Sequence, residues 1–262
     1  MTYTHGHAES VLRSHRWRTA ENSAAYLLPH LAPTDRLLDV GSGPGTLTAD
    51  HASYVGSVTA LEVTDAAARL TRDELTRQGV EGRVDVGDVH ALPYGDATFD
   101  VVHAHQVLQH VADPVAALRE LARVTRPGGL VAVRDSDYAS FAWAPGSAAL
   151  DRWLEIYRGA AKANGGEPEA GRHLLGWAHA AGLSDVRASS STWCFATPED
   201  RAWWGGMWAE RIVGSALTEQ VLREERATAA ELEEISVAWT QWADDPDGWF
   251  SVHHGELLIT VG

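Results

Sequence analysis

Short apolar runs alternate with amphipathic stretches along the first half of the chain. The apolar runs predict buried strands over 37–40, 56–61, 82–86, 98–103 and 130–133. Apolar positions at helical spacing predict helices between them, over 46–52, over 64–78 and from Asp113 onwards. This alternation indicates the α/β class, with a doubly wound, mostly parallel sheet.

Capping residues place the ends of these helices. Thr64 or Asp65 can cap the helix over 64–78, and Gly79 can end it. Asp113, followed by Pro114 at the first helical position, predicts the start of the next helix. The Arg-Pro-Gly-Gly sequence at 126–129 predicts its end.

The second half adds helices over 147–163 and 171–181 and strands over 185–195 and 249–261. Two more helices lie between those strands. Thr197 with Pro198 opens one, and Thr228 with Glu231 forms a capping box that opens the other. We expect a single domain, 1–262, with its sheet core over 34–195 and 249–262 and a tryptophan-rich helical lid insertion over 196–248.

The tryptophans have two interpretations. A stripe at helical spacing is typical of a packed core. Eleven tryptophans in 262 residues would also make an aromatic-lined pocket. Both interpretations favour an uncharged or aromatic substrate, and a cationic amine held by aromatic faces is also compatible.

The N-terminal arm, residues 1–33, predicts two helices, over 10–18 and 19–31, that end at Pro33. Folded over the site, this arm would bring Tyr3, His7 and Arg18 towards a bound ligand. The alternative is an arm that packs on the sheet with its charges in water.

Composition narrows the partners to small molecules. The net charge of −15 argues against a nucleic-acid substrate, because phosphates need clustered Lys and Arg. No apolar run matches a membrane span, and the first residues lack a signal-peptide pattern, so we predict a cytoplasmic monomer or homodimer. The single cysteine, Cys194, lies in an apolar run and is expected to be buried rather than nucleophilic.

A glycine loop with Gly41, Gly43 and Gly45 joins the first strand to the first helix. A loop without Cβ atoms lets a ligand lie against the backbone, and the helix start offers unpaired N–H groups. Dinucleotides and S-adenosylmethionine both use this geometry. Thr46 occupies the third glycine position of G-x-G-x-x-G, which weakens the dinucleotide interpretation.

Two carboxylates follow the next two strands. Glu62 ends the second strand and can accept hydrogen bonds from both hydroxyls of a ribose. Asp88 follows the third strand and can accept an adenine amino group, while the N–H of Val89 serves a ring nitrogen. The alternative role of Asp88 is a turn cap.

Five segments in this order resemble the class I S-adenosylmethionine-dependent methyltransferases, especially the small-molecule branch that includes the ubiquinone and menaquinone biosynthesis enzymes. They are 37–45, Glu62, Gly87-Asp88 with Leu92-Pro93, 99–102 and 126–130. The resemblance implies a seven-stranded, Rossmann-like sheet with a terminal antiparallel hairpin. It also implies S-adenosylmethionine as cofactor and S-adenosylhomocysteine as product.

The same resemblance implies roles for individual residues. The methionine part of the cofactor would lie against the loop, at Gly41, Ser42 and Gly43. The ribose would lie after the second strand, at Glu62 and Val63. The adenine would lie after the third strand, at Gly87, Asp88 and Val89. Gln106, just past the fourth strand, would lie near the methionine end. Arg18 is a candidate for the cofactor carboxylate on its charge alone.

The expected reaction is direct in-line methyl transfer to O, N or C of a small, apolar or aromatic metabolite. The sulfonium methyl is already activated, so the protein mainly aligns the acceptor and excludes water. If a base is needed, His105, His110, Asp135 and Asp137 follow the fourth and fifth strands, and His105 and Asp135 are the ones we select. The alternative role of His110 is a hydrogen bond at a helix entry, and that of Asp135 and Asp137 is loop capping.

Histidine pairs occur at 103 and 105, which share a strand face, and at 253 and 254. Neither has the spacing of a metal site, and we predict no metal. Two other functions compete with methyl transfer. An NAD(P)-dependent oxidoreductase is disfavoured by Thr46 and by the lack of a Tyr-x-x-x-Lys pair. Tyr157 is followed four residues later by Ala161 and not by a lysine. A non-catalytic cofactor-binding protein on the same scaffold is disfavoured by the intact loop, Glu62 and Asp88.

Overall fold

The computed structural model describes residues 14–262 and divides the chain into two compact units. The larger unit comprises His15–Ser136, Glu169–Ser191 and His254–Gly262. The smaller unit contains Asp137–Pro168 and Thr192–His253 together with Ser14. Both units are therefore assembled from separate segments of the chain.

Eight strands lie in the described residues: β1 Arg36–Val40, β2 Ser57–Glu62, β3 Arg83–Val86, β4 Phe99–His105, β5 Thr125–Ser136, β6 Ala142–Ala144, β7 Val186–Phe195 and β8 Trp249–Thr260. Strands β1 to β5 pair in the order β3-β2-β1-β4-β5 and are all parallel. The C-terminal part of β8 pairs antiparallel with β5, and β7 also pairs with β8. The predicted α/β class and mostly parallel sheet are confirmed. The additional strand is β6, which has three residues and pairs with 249–251 in the smaller unit.

The α-helices of residues 20–262 are α1 Ala20–Ser23, α2 Thr46–His51, α3 Asp65–Gln78, α4 Pro114–Val124, α5 Ala148–Ala163, α6 Ala170–Ala180, α7 Pro198–Val213, α8 Ala216–Arg223 and α9 Ala229–Asp244. The side chains of four predicted caps, Thr64, Asp113, Thr197 and Thr228, accept backbone N–H groups as expected. The short helix α8 was not predicted.

Apolar side chains cover both faces of the sheet in the larger unit. Leu38 points into a cluster with Leu118 of α4 and Leu174 of α6. Its neighbour Leu37 points to the opposite face, where it packs with Leu27. Because both faces are buried, the strands read as continuous apolar runs rather than as alternating ones.

The N-terminal prediction was wrong for residues 19–31. Instead of one helix there are the four-residue α1 and a 3₁₀ turn over Leu28–His30. The side chain of Asn22 accepts the Thr19 N–H and so closes a capping box within α1, while Pro29 lies in the 3₁₀ turn, where it cannot donate to a continuing α-helix. Tyr3 and His7 lie outside the described residues.

The core of the smaller unit is aromatic. Trp153 of α5 is fully buried, and its ring centroid lies 4.6 Å from that of Trp208 and 5.0 Å from that of Trp239. Both pairs are T-shaped, a favourable arrangement of ring quadrupoles. The indole N–H of Trp242 donates to Ala144 O at 2.9 Å. The core interpretation of the tryptophan stripe is therefore confirmed for these residues.

The prediction for Cys194 was wrong, because its side chain is exposed. Trp193 and Phe195, its neighbours in β7, are both buried. Successive side chains of a strand point to opposite faces, so burial of these two turns Cys194 outward.

Candidate active site

The glycine loop leaves β1 in a conformation that suits glycine. Gly41 and Gly43 have φ values of 71° and 57°, in the left-handed region. The Gly41 N–H donates to Leu61 O at 2.8 Å, so the start of the loop is fixed to β2. A Cβ atom on Gly41 would lie 2.5 Å from Val107 Cγ2, so a side chain here would force Val107 to move.

Ser42 and Thr71 hold the loop on α3. Ser42 Oγ lies 3.0 Å from Thr71 Oγ1, which also donates to Gly43 O at 2.8 Å. The Ser42 side chain is buried. Its hydroxyl therefore shapes the loop, and the surface of the loop is formed by backbone.

Glu62 lies beside the glycine loop at the end of β2. Its Oε1 accepts the Gly43 N–H at 2.5 Å and its Oε2 accepts the Val63 N–H at 3.2 Å. The residue is 8% exposed, and none of the described arginines or lysines pairs with it. Burial raises the pKa of Glu62 to about 7, although both backbone bonds lower it.

The predicted adenine residues follow β3. The Gly87 N–H donates to Glu62 O at 2.9 Å, which brings this segment next to the acid. Asp88 Oδ1 accepts the backbone N–H of His90 at 2.9 Å and lies 2.7 Å from its ring Nδ1. Asp88 is thus a turn cap, yet its side chain is 63% exposed, and Oδ2 has no hydrogen-bond partner among residues 14–262. Val89 is buried, whereas Val63 is 68% exposed.

Arg18 and Gln106, both predicted for the cofactor site, contact each other. Arg18 Nη2 donates to Gln106 Oε1 at 2.7 Å. Gln106 Nε2 lies 2.9 Å from Ser136 Oγ and 2.9 Å from His254 Nε2. Gln106 has a φ of 55°, an unusual value for a residue with a side chain and one that recurs at functional sites.

The two selected bases, His105 and Asp135, lie inside the larger unit. His105 is buried at the end of β4, and burial lowers its pKa well below 6.5, so the ring is neutral. Asp135 is fully buried in β5, and burial raises its pKa to about 7. Its Oδ1 accepts the Gln109 N–H at 3.0 Å, which anchors the 3₁₀ turn Leu108–His110, and its Oδ2 has no partner in the described chain.

His110 and Asp137 are the other two candidate bases. His110 lies at the end of that 3₁₀ turn, and burial lowers its pKa to about 4. Asp137 belongs to the smaller unit, where its N–H donates to His253 O at 2.9 Å. The structure therefore links the predicted cofactor residues Gly43, Glu62 and Gly87 by hydrogen bonds, and it links Arg18 to Gln106.

A row of buried histidines accompanies the site and was only partly foreseen. His103 and His105 share a face as expected, with parallel rings 6.4 Å apart. His103 Nδ1 lies 3.0 Å from Asp39 Oδ1, and the ring of His51 lies 4.8 Å from that of His103. At the other end, the His105 ring lies 6.1 Å from that of His254.

Ser136 and His254 contact Gln106, and the sequence did not reveal either of them. They pair directly across β5 and β8. The available signal was the alternation along β8, which places His254 and Glu256 on one face, but that face could not be assigned without the register of β8 on β5.

Neither a metal site nor a membrane-spanning helix is found in the part of the chain that the structure describes. No cluster of three or more His, Cys, Asp or Glu side chains there could hold a metal ion. None of the helices from residue 14 onwards has the length and hydropathy needed to cross a bilayer.

Comparison with known proteins identifies relatives of this chain. A family profile described as "Methyltransferase domain" matches residues 38–133. An uncharacterized methyltransferase of Schizosaccharomyces pombe is 35% identical over 267 residues, covering 98% of this chain and 95% of that protein. The ubiquinone/menaquinone biosynthesis C-methyltransferase UbiE of Idiomarina loihiensis is 34% identical over 127 residues, covering 47% of this chain and 48% of its own length.

Among solved structures, a phosphoethanolamine N-methyltransferase of Haemonchus contortus, in complex with phosphomonomethylethanolamine and S-adenosylhomocysteine, superposes with a TM-score of 0.54. The match covers 88% of this chain and 49% of that one at 15% identity. At this identity the likeness concerns the fold.

Proposed function

The chain belongs to the class I S-adenosylmethionine-dependent methyltransferases, and we propose how its residues hold the cofactor. Its reaction is the methylation of a small molecule. The proposal rests above all on one observation, the buried carboxylate of Glu62 beside the glycine loop.

Glu62 fits the ribose. Its carboxylate receives only two backbone N–H groups in the described structure, although four lone-pair positions are available. Burial without a cation makes its ionised form unfavourable, as the raised pKa reflects. Two neighbouring hydroxyl donors would stabilise that form, one on each oxygen, and a ribose presents such a pair.

The segments on either side of Glu62 fit the rest of the nucleoside. Val63 offers an exposed apolar side chain, and Asp88 Oδ2 is an available acceptor on the neighbouring segment. We assign the adenine ring to Val63, Gly87, Asp88 and Val89. The methionine part then lies on the backbone of Gly41, Ser42 and Gly43, where no Cβ of Gly43 obstructs it.

Arg18 and Gln106 form the polar end of this site. The Arg18 guanidinium carries only donors and is positively charged, so it suits the cofactor carboxylate. Its bond to Gln106 Oε1 holds it beside the end of β4. Arg18 would orient the cofactor, and Gln106 would orient Arg18.

When bound, S-adenosylmethionine supplies a methyl group that its positively charged sulfur has already activated. The residues of the chain then need to align the acceptor and keep water out. His105 is neutral and can in principle accept a proton, while Asp135 holds the turn after β4. A role of either as general base stays a prediction.

For the acceptor we propose a small apolar or aromatic metabolite that is methylated at O, N or C. The name of the UbiE relative refers to ubiquinone and menaquinone biosynthesis, and this supports an apolar acceptor. The buried tryptophans of the smaller unit pack on one another, so they support a core rather than a cage for a cationic amine.

Calorimetric titration tests the cofactor assignment. S-adenosylmethionine and S-adenosylhomocysteine should bind with micromolar affinity, and NAD should not bind. Binding of NAD alone would instead support the oxidoreductase alternative. Screening metabolite pools for transfer of a labelled methyl group then tests the reaction, and tight cofactor binding without transfer to any pool would support a non-catalytic protein.

A further inference from the structure

The side-chain amide of Gln106 lies between a cation and an imidazole. Its Oε1 accepts from Arg18 Nη2 at 2.7 Å. Its Nε2 lies 2.9 Å from Ser136 Oγ and 2.9 Å from His254 Nε2. The amide is therefore contacted at both ends, and which end faces Arg18 depends on these partners.

The three partners differ in how strongly they select the orientation of the amide. Arg18 has donors only, so it requires the oxygen. The Ser136 hydroxyl can rotate to donate or to accept, so it tolerates either end of the amide. The imidazole of His254, with its proton on Nδ1, presents only a lone pair at Nε2 and requires the NH₂ group. In this tautomer His254 excludes the reversed amide that would turn Nε2 towards Arg18.

Backbone pairing with β5 holds both His254 and Gln106 in place. His254 is fully buried and pairs with Ser136 in the β5–β8 register, so the two groups facing Gln106 Nε2 lie side by side. The backbone N–H of Gln106 donates to Arg134 O at 2.7 Å, which fixes the base of the side chain on β5. The ring of His105 lies 6.1 Å from that of His254 within the same unit.

We propose that His254 is a positioning residue of this enzyme. Its Nε2 lone pair fixes Gln106 with Oε1 towards Arg18, and Gln106 in turn holds the Arg18 guanidinium where it binds the carboxylate of the cofactor. This inference rests on the proposed function, because it requires Arg18 to lie in the cofactor site.

The test compares two substitutions of His254 by titration with S-adenosylhomocysteine. His254→Leu removes the acceptor and should weaken binding about tenfold, the size expected for loss of one well-oriented charged contact. His254→Gln carries an oxygen at a similar reach and should restore affinity to within about twofold of the wild type. His253→Leu, at the adjacent position but in the smaller unit, is the matched control and should leave affinity unchanged.

A double variant separates positioning from a general structural effect. Arg18→Met removes the guanidinium contact completely. Adding His254→Leu to this variant should therefore cause no further loss of affinity for S-adenosylhomocysteine. Fully additive losses would overturn the inference, and so would wild-type affinity in His254→Leu. Failure of the wild-type protein to bind S-adenosylhomocysteine would instead refute the proposed function, and an unchanged affinity in Arg18→Met would remove Arg18 from the site and the inference with it.

A measurement on the wild-type protein covers the case in which His254→Leu does not fold. Ring ¹⁵N spectra of the histidines report which nitrogen carries the proton, and the His254 signals are identified by their loss in His254→Gln. The inference requires an unprotonated Nε2 and a protonated Nδ1 at His254. A proton on Nε2 would overturn it.

Discussion

Glu62 Oε1 accepts the backbone N–H of Gly43, and this bond joins the end of β2 to the glycine loop. The second oxygen accepts the N–H of Val63. One lone-pair position on each oxygen is left for a ligand. The same carboxylate therefore shapes the loop and offers acceptors to what lies on it.

Replacing Glu62 with Ala should weaken S-adenosylhomocysteine binding by about 1.5–3 kcal/mol, because two charge-assisted hydrogen bonds to the ribose are lost. Calorimetric titration measures the change. Glu81→Ala, at an exposed position before β3, is the matched control and should bind like the wild type. Equal affinities of the two variants would remove Glu62 from the site.

Cofactor affinity should depend on pH through the same residue. The pKa of Glu62 in the free protein is about 7, and hydroxyl donors favour its ionised form. Affinity for S-adenosylhomocysteine should therefore rise about tenfold between pH 6 and pH 8, as the carboxyl group no longer has to lose a proton on binding. In Glu62→Gln this rise should disappear. A wild-type affinity that is flat or falls over this range would contradict the assignment.

Asp135→Asn should change the pH dependence of stability. The folded-state pKa of Asp135 is about 7, above its ordinary value of 3.8, so this group stabilises the fold at low pH, and the contribution is lost as the pH rises towards and through 7. Asn keeps an oxygen for the Gln109 N–H and does not ionise. Relative to the wild type, the variant should gain about 2.5 kcal/mol in unfolding free energy between pH 5 and pH 8.

Urea unfolding at the two pH values measures this gain, with the exposed Asp185→Asn as the control. The same variant tests the predicted base. Undiminished methyl transfer by a folded Asp135→Asn protein would exclude Asp135 as the proton acceptor.

Two substitutions of Gln106 distinguish the effect of backbone strain on stability from the effect of the side chain on ligand binding. Its φ of 55° is readily adopted by glycine and costs a residue with a Cβ atom about 1 kcal/mol. Gln106→Gly should therefore be more stable than Gln106→Ala by about that amount in thermal or urea unfolding. Both variants lack the amide, so both should bind S-adenosylhomocysteine equally weakly. Equal stabilities of the two variants would show that the position carries no strain.

Trp153→Ala should destabilise the protein by about 3–5 kcal/mol, because the fully buried ring packs on Trp208 and Trp239. Trp249→Ala, whose side chain is 40% exposed, should cost under about 1 kcal/mol. Urea unfolding measures both. A Trp153→Ala protein with wild-type stability but no turnover would identify this ring as part of a ligand pocket instead.

Local sequence signals were sufficient to locate the glycine loop and the carboxylates that follow β2 and β3. Each of these follows directly from a strand end, and parallel strands bring their carboxyl ends to one edge of the sheet. The helix caps were also predictable from local sequence, because each cap is a contact between residues three positions apart. Nothing beyond neighbouring positions is needed for either inference.

Contacts across the sheet were not predictable in this way. Arg134 and Glu256 form a buried ion pair, with Arg134 Nε 3.1 Å from Glu256 Oε1, and Ser191 from β7 bonds to both side chains. Ser136 and His254 meet in the same register. Such pairs depend on how β8 aligns with β5, and the sequence of either strand alone is compatible with several alignments.

The discontinuity of the smaller unit limits how this enzyme can be recombined with its relatives. Trp153 comes from one inserted segment, and Trp208 and Trp239 come from another, with α6 and part of β7 between them in the chain. A chimaera with a single crossover between these inserts would pair aromatic surfaces from two different parents. A chimaera that keeps this aromatic core intact therefore takes both inserts from the same parent.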